Sequence, residues 1–424
     1  MPLIDPRDYR RRVSAAHRPL FHRLTALHIA LVLLVILMTV QVVSARTDTP
    51  PSKPYAVMNR DSVSYSGPGR EKSNDLPGSN VTIGILLPRQ GSHEAEGKAM
   101  LEAAQLALEE EAANPLPEGR KLKLAVGDES GQWGQASNEI VRLIMQNQAV
   151  ALITSTNGNI AHQAEQVSNK IGIPILTLAS DATTTEINIP WIFRLGPSDV
   201  DQARAFAQQI YRVQGFRKVL LISDAGHDGR TGGEEFEKAA REFGAPQPKR
   251  PEISSSAEDA ELLVSKIDWQ SAEAIVLWTE PETAAKLVPL VRHAKPYVPI
   301  YVCRKAADFG LSDHGESTAG VPASEGPKEN GGTWMVAPVA SDSEAALHQF
   351  AQHFHSRTGT TPDTAAAQTY DAVRLIVSAL RRSGPNRARL RDALSAKVQF
   401  HGISGANSFD AAGNARGNWV VVKR

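Results

Sequence analysis

From residue 81 onward, short apolar runs alternate with longer stretches in which apolar residues recur every three or four positions. Residues 81–87 predict a strand ending at Pro88, and Ala99, Ala103, Leu106 and Ala107 share one face of a following helix. Residues 122–126 predict the next strand, and Ile140, Leu143 and Ile144 the next helix. A strand at 150–153, a helix over 159–171 and a strand at 174–177 complete this series. The pattern then restarts, with helices expected over 203–213, 234–243, 260–267 and 284–293 and strands at 218–222, 274–277 and 300–302. Near-continuous apolar strands separated by helices imply right-handed crossovers and parallel sheets covered on both faces. The last part differs: helices are expected over 345–354, 365–380 and 387–396, then short strand-like pieces at 408–409 and 419–422. A body of this length fits two doubly wound parallel-sheet lobes, an α/β fold, better than one sheet.

Ahead of the body, residues 27–45 are almost wholly apolar and come after Arg7, Arg10, Arg11, Arg12, Arg18 and Arg23. Positive charge on one flank sets that flank in the cytoplasm. The run is short for a spanning helix, and Val43-Ser44-Ala45 fits a small-residue cleavage site. Signal peptide and uncleaved anchor both stand; each exports the chain beyond residue 45. Residues 46–79 carry Pro50, Pro51, Pro54, Pro68 and Pro77 with few large apolar side chains, the composition of a flexible tether.

Charge and cysteine content narrow the function. Lys+Arg and Asp+Glu balance at 46 each, and the only concentrated basic block lies before the apolar run, so no nucleic-acid partner is expected. The one cysteine, Cys303, excludes an internal disulfide and a Cys-rich zinc site. His348, His353 and His355 are spaced by five and two residues, which does not stack them on one helical face, so no metal is expected there. His93-Glu94 lacks the second histidine of a zinc-protease motif, and no phosphate loop, dinucleotide fingerprint or nucleophile elbow is present. No cofactor and no enzyme activity are expected.

In parallel sheets, ligands bind beyond the carboxyl ends of strands. Three loops lie there: 88–93, 154–159 and 178–185. The last two carry short hydroxyl and amide side chains just before helical segments. Such residues cap helices, and the same free N–H groups can hold a ligand carboxylate.

The run Val81-Thr-Ile-Gly-Ile-Leu-Leu-Pro88, with Gly91 and an alanine-rich helix ending in Glu109-Glu-Glu111, resembles the opening of type I periplasmic solute-binding proteins of the branched-chain amino-acid-binding class. So do Val150-Ala-Leu-Ile-Thr-Ser155, Gly172-Ile-Pro-Ile175 and Ala179-Ser-Asp-Ala-Thr183. Trp191-Ile-Phe-Arg194 with Asp199 looks like the family's crossover into the second lobe. Lys218-Val-Leu-Leu-Ile-Ser-Asp224, Tyr370-Asp-Ala-Val373 and Phe409-Asp-Ala-Ala-Gly413 resemble its later markers.

The resemblance implies lobe 1 at about 80–197 and 335–395, and lobe 2 at about 198–334 and 396–424, joined by a hinge. It implies a small-molecule ligand, an amino acid or related carboxylate, held by Ser155, Thr156, Asn157, Asp181 and Thr183. Gln90, Gly91 and Ser92 supply the first loop, which departs from the family's usual Thr-Gly. Asp224, His227, Asp228 and Glu280 are the second-lobe candidates. An ABC-type membrane permease is the implied partner and the periplasm the implied place, with the inner membrane reached through 27–45 if that segment is uncleaved. A tethered sensor or envelope-assembly protein on the same fold is the alternative, and the usual lipoprotein cysteine is absent.

Overall fold

The computed structural model describes residues 75–423 except 131–133, 187–188, 252–266, 268, 308–331, 339–343, 397–399 and 418. The apolar segment 27–45 and residues 260–266 of the predicted helix over 260–267 lie outside the described residues. Among the described residues no helix is long and apolar enough to cross a membrane.

The first sheet holds β1 (Asn80–Leu87), β2 (Lys121–Asp128), β3 (Ala151–Thr154), β4 (Ile175–Thr177) and β5 (Ile192–Arg194), all parallel, in the order β2-β1-β3-β4-β5. Alternation along β1 decides what each face buries. Ile83 and Ile85 join one core with Phe193 and Val373, while Leu86 joins a second core with Leu143, Ile175 and Trp191. Burial on both faces is what the near-continuous apolar strands require. The helices on these faces are α1 (Glu94–Glu111), α2 (Gln135–Met145) and α3 (Gly158–Ile171), with the short α4 (Thr183–Glu186) before β5.

The second sheet holds β6 (Val219–Ser223), β7 (Ala274–Trp278), β8 (Ile300–Val302) and β9 (Thr333–Pro338), parallel to one another, and an antiparallel edge strand β12 (Trp419–Lys423) beside β9. Its core is separate and gathers Phe206, Phe236, Trp278, Tyr301 and Trp334 from α5 (Asp199–Ala207), α6 (His227–Glu242) and the sheet, with α7 (Pro281–Ala294) packed through Leu287 and Val291. The helices α8 (Glu344–Thr358), α9 (Thr364–Ser383) and α10 (Arg387–Ser395) return to the first core, so the chain passes between the two bodies three times.

The structure departs from the sequence pattern in four places. Residues 75–79 are docked rather than tethered: Leu76 donates its N–H to the Pro385 carbonyl at 2.9 Å, and Asp75 accepts from Asn386 and Arg389 at 2.8 Å. β9 extends the second sheet to Pro338, past the boundary expected near 335. The hairpin of β10 (Ala406–Phe409) and β11 (Ala415–Gly417) packs on the first core through Ala406, Phe409 and Ala415, so 396–424 does not belong wholly to the second lobe as the resemblance implies. Finally, α6 starts at His227, not near 234. Gly229, Gly232 and Gly233 conceal its first turns, and a Cβ on Gly232 would lie 1.9 Å from Trp278 Nε1, so close packing dictates the glycine.

Candidate functional site

The carboxyl ends of both sheets face a cavity of about 920 Å³. Its walls combine the start of α1, the loop after β4, the end of α8 and start of α9 with Pro281, Glu282 and Ala285 of α7 and Arg304 and Lys305 after β8. Ser92 and Thr156 are the predicted residues that line it.

The remaining predicted residues are placed by the hydrogen bonds they make. Gln90 turns toward Asp128, its Nε2 donating to Oδ2 at 3.2 Å, and its backbone N–H donates to the Ser130 hydroxyl at 3.1 Å. Gly91 takes the left-handed conformation, φ 78°, that opens the turn into α1. Ser155 is buried and donates to Glu129 Oε1 at 2.5 Å. Burial pushes the Glu129 carboxyl up to about 8, against the pull of the Ser155 bond. Asn157 caps α3, its Oδ1 accepting from the N–H groups of Asn159 and Ile160 at 3.0 and 3.4 Å. Thr156 donates to Glu96 Oε1 at 2.8 Å, which brings into the cavity an acid that sequence spacing did not single out.

The acids among the predicted residues are largely engaged within the protein. Asp224 accepts the Glu280 N–H. Asp228, in the first turn of α6, accepts the Gly158 N–H at the start of α3 at 3.2 Å, a bond between the two bodies. Lys305 Nζ lies 2.6 Å from Asp228 Oδ2 and 2.8 Å from Glu280 Oε1. Burial works against its charge, but the two carboxylates outweigh burial and raise its pKa. Glu280 Oε2 is buried without a hydrogen-bond partner among the described residues, and His93 Nε2 lies 3.8 Å from it.

Asp181 is 2 % exposed and gathers four groups. Its Oδ1 accepts the Thr183 N–H at 2.9 Å and hydroxyl at 2.8 Å, while Oδ2 lies 3.0 Å from His162 Nε2 and 2.6 Å from His227 Nε2. Burial alone would raise this carboxyl, but the bonds from His162, His227 and Thr183 hold it below the ordinary range. His162 is raised to about 10 by its bonds to Asp181 and to Glu165. No spacing rule links His162, Asp181 and His227, which come from α3, the loop after β4 and α6.

Arg304 is a second residue that sequence spacing missed. It is 5 % exposed, and its Nε and Nη1 find no partner among the described residues, while Nη2 donates to the Ser404 carbonyl at 3.4 Å. Burial lowers its guanidinium to about 10, an effect the nearby Asp371 opposes. The signal for it was thin: two consecutive basic residues directly after an apolar strand.

Two sheets of mainly parallel strands, three connections and a cavity of mixed polar and apolar lining at the sheet ends describe a two-lobed solute receptor. Residues 80–423 match the periplasmic binding protein family, and the chain belongs to it. It is 25% identical over 318 residues to an amino acid binding protein of Pseudomonas aeruginosa, covering 72% of this chain and 80% of that protein. Its fold is similar to the branched-chain amino acid transporter substrate binding protein of Streptococcus pneumoniae in complex with isoleucine (TM-score 0.66, 20% identity, 81% of this chain and 100% of the other). It is similar to the same degree to an ABC transporter solute binding protein of R. palustris in complex with benzoate (TM-score 0.67, 19% identity, 81% and 92%). The family and these neighbours are solute-binding proteins, not enzymes. Membership implies an extracytoplasmic location.

Proposed function

We propose that the protein binds a small carboxylate-bearing solute in the cavity, closes around it by hinge bending, and delivers it to an ABC-type permease. The observation that carries this reading is Arg304, a buried guanidinium at the cavity wall with two nitrogens unpartnered among the described residues. A buried cation with open donors calls for an anionic partner. Thr156, Ser92 and Ser180 add hydroxyls, and Leu178, Ala99 and Phe354 add an apolar wall for the body of the solute. An amino-acid ammonium would meet Glu96, which lines the cavity, rather than Asp181 or Asp224, which do not. Isoleucine and benzoate, bound by two proteins of this fold, share a carboxylate on an apolar body. The walls and those two ligands both support a carboxylate-bearing solute.

The test is a thermal-shift titration with leucine, isoleucine, benzoate and their amides. A carboxylate at 100 times its dissociation constant adds about 2.7 kcal/mol of stability, and the matching amide adds far less. Equal shifts from acid and amide would remove the carboxylate assignment. A second reading, a tethered sensor or envelope-assembly scaffold, is favoured by the Asp228–Gly158 bond, a direct protein–protein link between the lobes. Absence of a shift with any solute would select it.

A further inference from the structure

We propose that His162, Asp181 and His227 form a binding site for a zinc ion that joins the two lobes beside the solute cavity. The three donor atoms, His162 Nε2, Asp181 Oδ2 and His227 Nε2, lie within 4.8 Å of one another. Tetrahedral zinc, with bonds of about 2.0–2.2 Å to nitrogen and oxygen, sets neighbouring donors roughly 3.3 Å apart. Both rings already approach Asp181 Oδ2, at 3.0 and 2.6 Å, so a small outward shift of each ring admits the ion. The rings stand edge to face, 89° between planes with centroids 5.7 Å apart, so their Nε2 atoms converge rather than stack.

The surroundings are those of a metal site rather than of a chance pair of histidines. His162 turns its other nitrogen, Nδ1, to Glu165 Oε1 at 2.7 Å. A carboxylate on the far nitrogen fixes the ring orientation and tautomer and makes the near nitrogen a better ligand. Glu165 is itself 1 % exposed, and its Oε2 is unpartnered among the described residues. On Asp181, both Thr183 bonds fall on Oδ1, which leaves Oδ2 turned to the rings. Each ligand rides on or lies near a regular element: His162 in α3, Asp181 two residues before α4, and His227 at the first position of α6. The absent side chain of Gly158 also makes room, since a Cβ there would sit 3.2 Å from Asp181 Oδ2.

The donor set selects the metal class. Two imidazoles and one carboxylate suit a borderline transition ion, whereas calcium and magnesium demand six or more oxygens. Three protein ligands leave a fourth position for water or a small anion. Two of the ligands belong to the first body and His227 to the second, so the ion would hold the lobes together. None of the three is among the residues lining the solute cavity, so the inference stands apart from the solute assignment.

The test uses the purified full chain, stripped with a chelator and titrated with Co²⁺ alone, no solute being added. The expected result is saturation at one equivalent, with the intense visible bands of tetrahedral Co²⁺, and loss of those bands when zinc is added. His227→Ala and Asp181→Asn should abolish the bands, and Glu165→Gln, which leaves all three ligands in place, should weaken affinity about 10–100-fold. His348→Ala, an exposed histidine, should leave the titration unchanged. Circular dichroism of each variant reports folding, and should His227→Ala unfold, the Glu165→Gln result decides alone. Absence of the bands, binding that survives His227→Ala, or bound cobalt that zinc fails to displace would each overturn the assignment.

Discussion

The Asp228 carboxylate accepts a hydrogen bond from the Gly158 backbone N–H at 3.2 Å, one residue in each lobe. The N-terminus of α3 thus receives an anion from the facing body, in the position where a solute carboxylate is favoured at a helix start. A Cβ on Gly158 would come within 2.5 Å of Asp228 Oδ1. Gly158→Ala should therefore separate the lobes in the solute-free protein. Small-angle scattering should show a larger radius of gyration than the parent, and identical curves would contradict the role given to this bond.

Lys305 balances two acids at once. Replacing it by methionine keeps the stem and removes the charge, leaving Asp228 and Glu280 to repel one another. Partial exposure of Glu280 moderates the loss, to about 2 kcal/mol. Urea unfolding should show a lower midpoint with an unchanged slope. Adding Asp228→Asn to the variant should recover part of the loss, because one of the facing charges is gone.

Glu129 makes stability depend on pH in the direction opposite to most carboxylates. Burial raises its folded value from 4.5 to about 8, so between those values the folded state keeps a proton that the unfolded state has released. Stability contributed at this group is therefore fully present below about 4.5 and declines as pH rises toward 8. Glu96 and Asp128 act in the same sense, and Lys305 opposes them. Glu129→Gln should flatten the stability–pH curve over this window. Parallel curves for parent and variant would show that the proton is not held there.

Gly97 fixes the approach of α1 to the end of β1. A Cβ there would sit 1.7 Å from the Pro88 carbonyl oxygen, a backbone atom with nowhere to move. Gly97→Ala should destabilise by at least about 1–3 kcal/mol, the usual cost of overpacking, despite alanine's better helix propensity. A thermal melt equal to or above that of the parent would contradict the packing.

The most legible strand in the sequence is 274–277, an unbroken apolar run that is buried throughout and has few other readings. β5 and β9 escaped for a physical reason. β5 is three residues long and ends in Arg194, whose charge is absorbed by the Thr185 hydroxyl and the Asp181 carbonyl. In β9, only alternate residues, Trp334 and Val336, are buried. Of the loop positions singled out in the sequence, Thr156 and Ser92 lie at the cavity wall. Partners were not legible there. That Asp181 meets His162 and His227 depends on how two bodies face one another, and no local spacing encodes that.

The three passages of the chain between the lobes also set an order of assembly. The first core is incomplete until α8, α9 and α10 cover it, and the second sheet lacks its edge until β12 pairs with β9. Neither lobe can finish as the chain emerges from the ribosome, because both wait for residues near the carboxyl end. Contacts of such long sequence separation slow folding. For a protein placed outside the cytoplasm, such late completion of both lobes favours crossing the membrane before the fold closes.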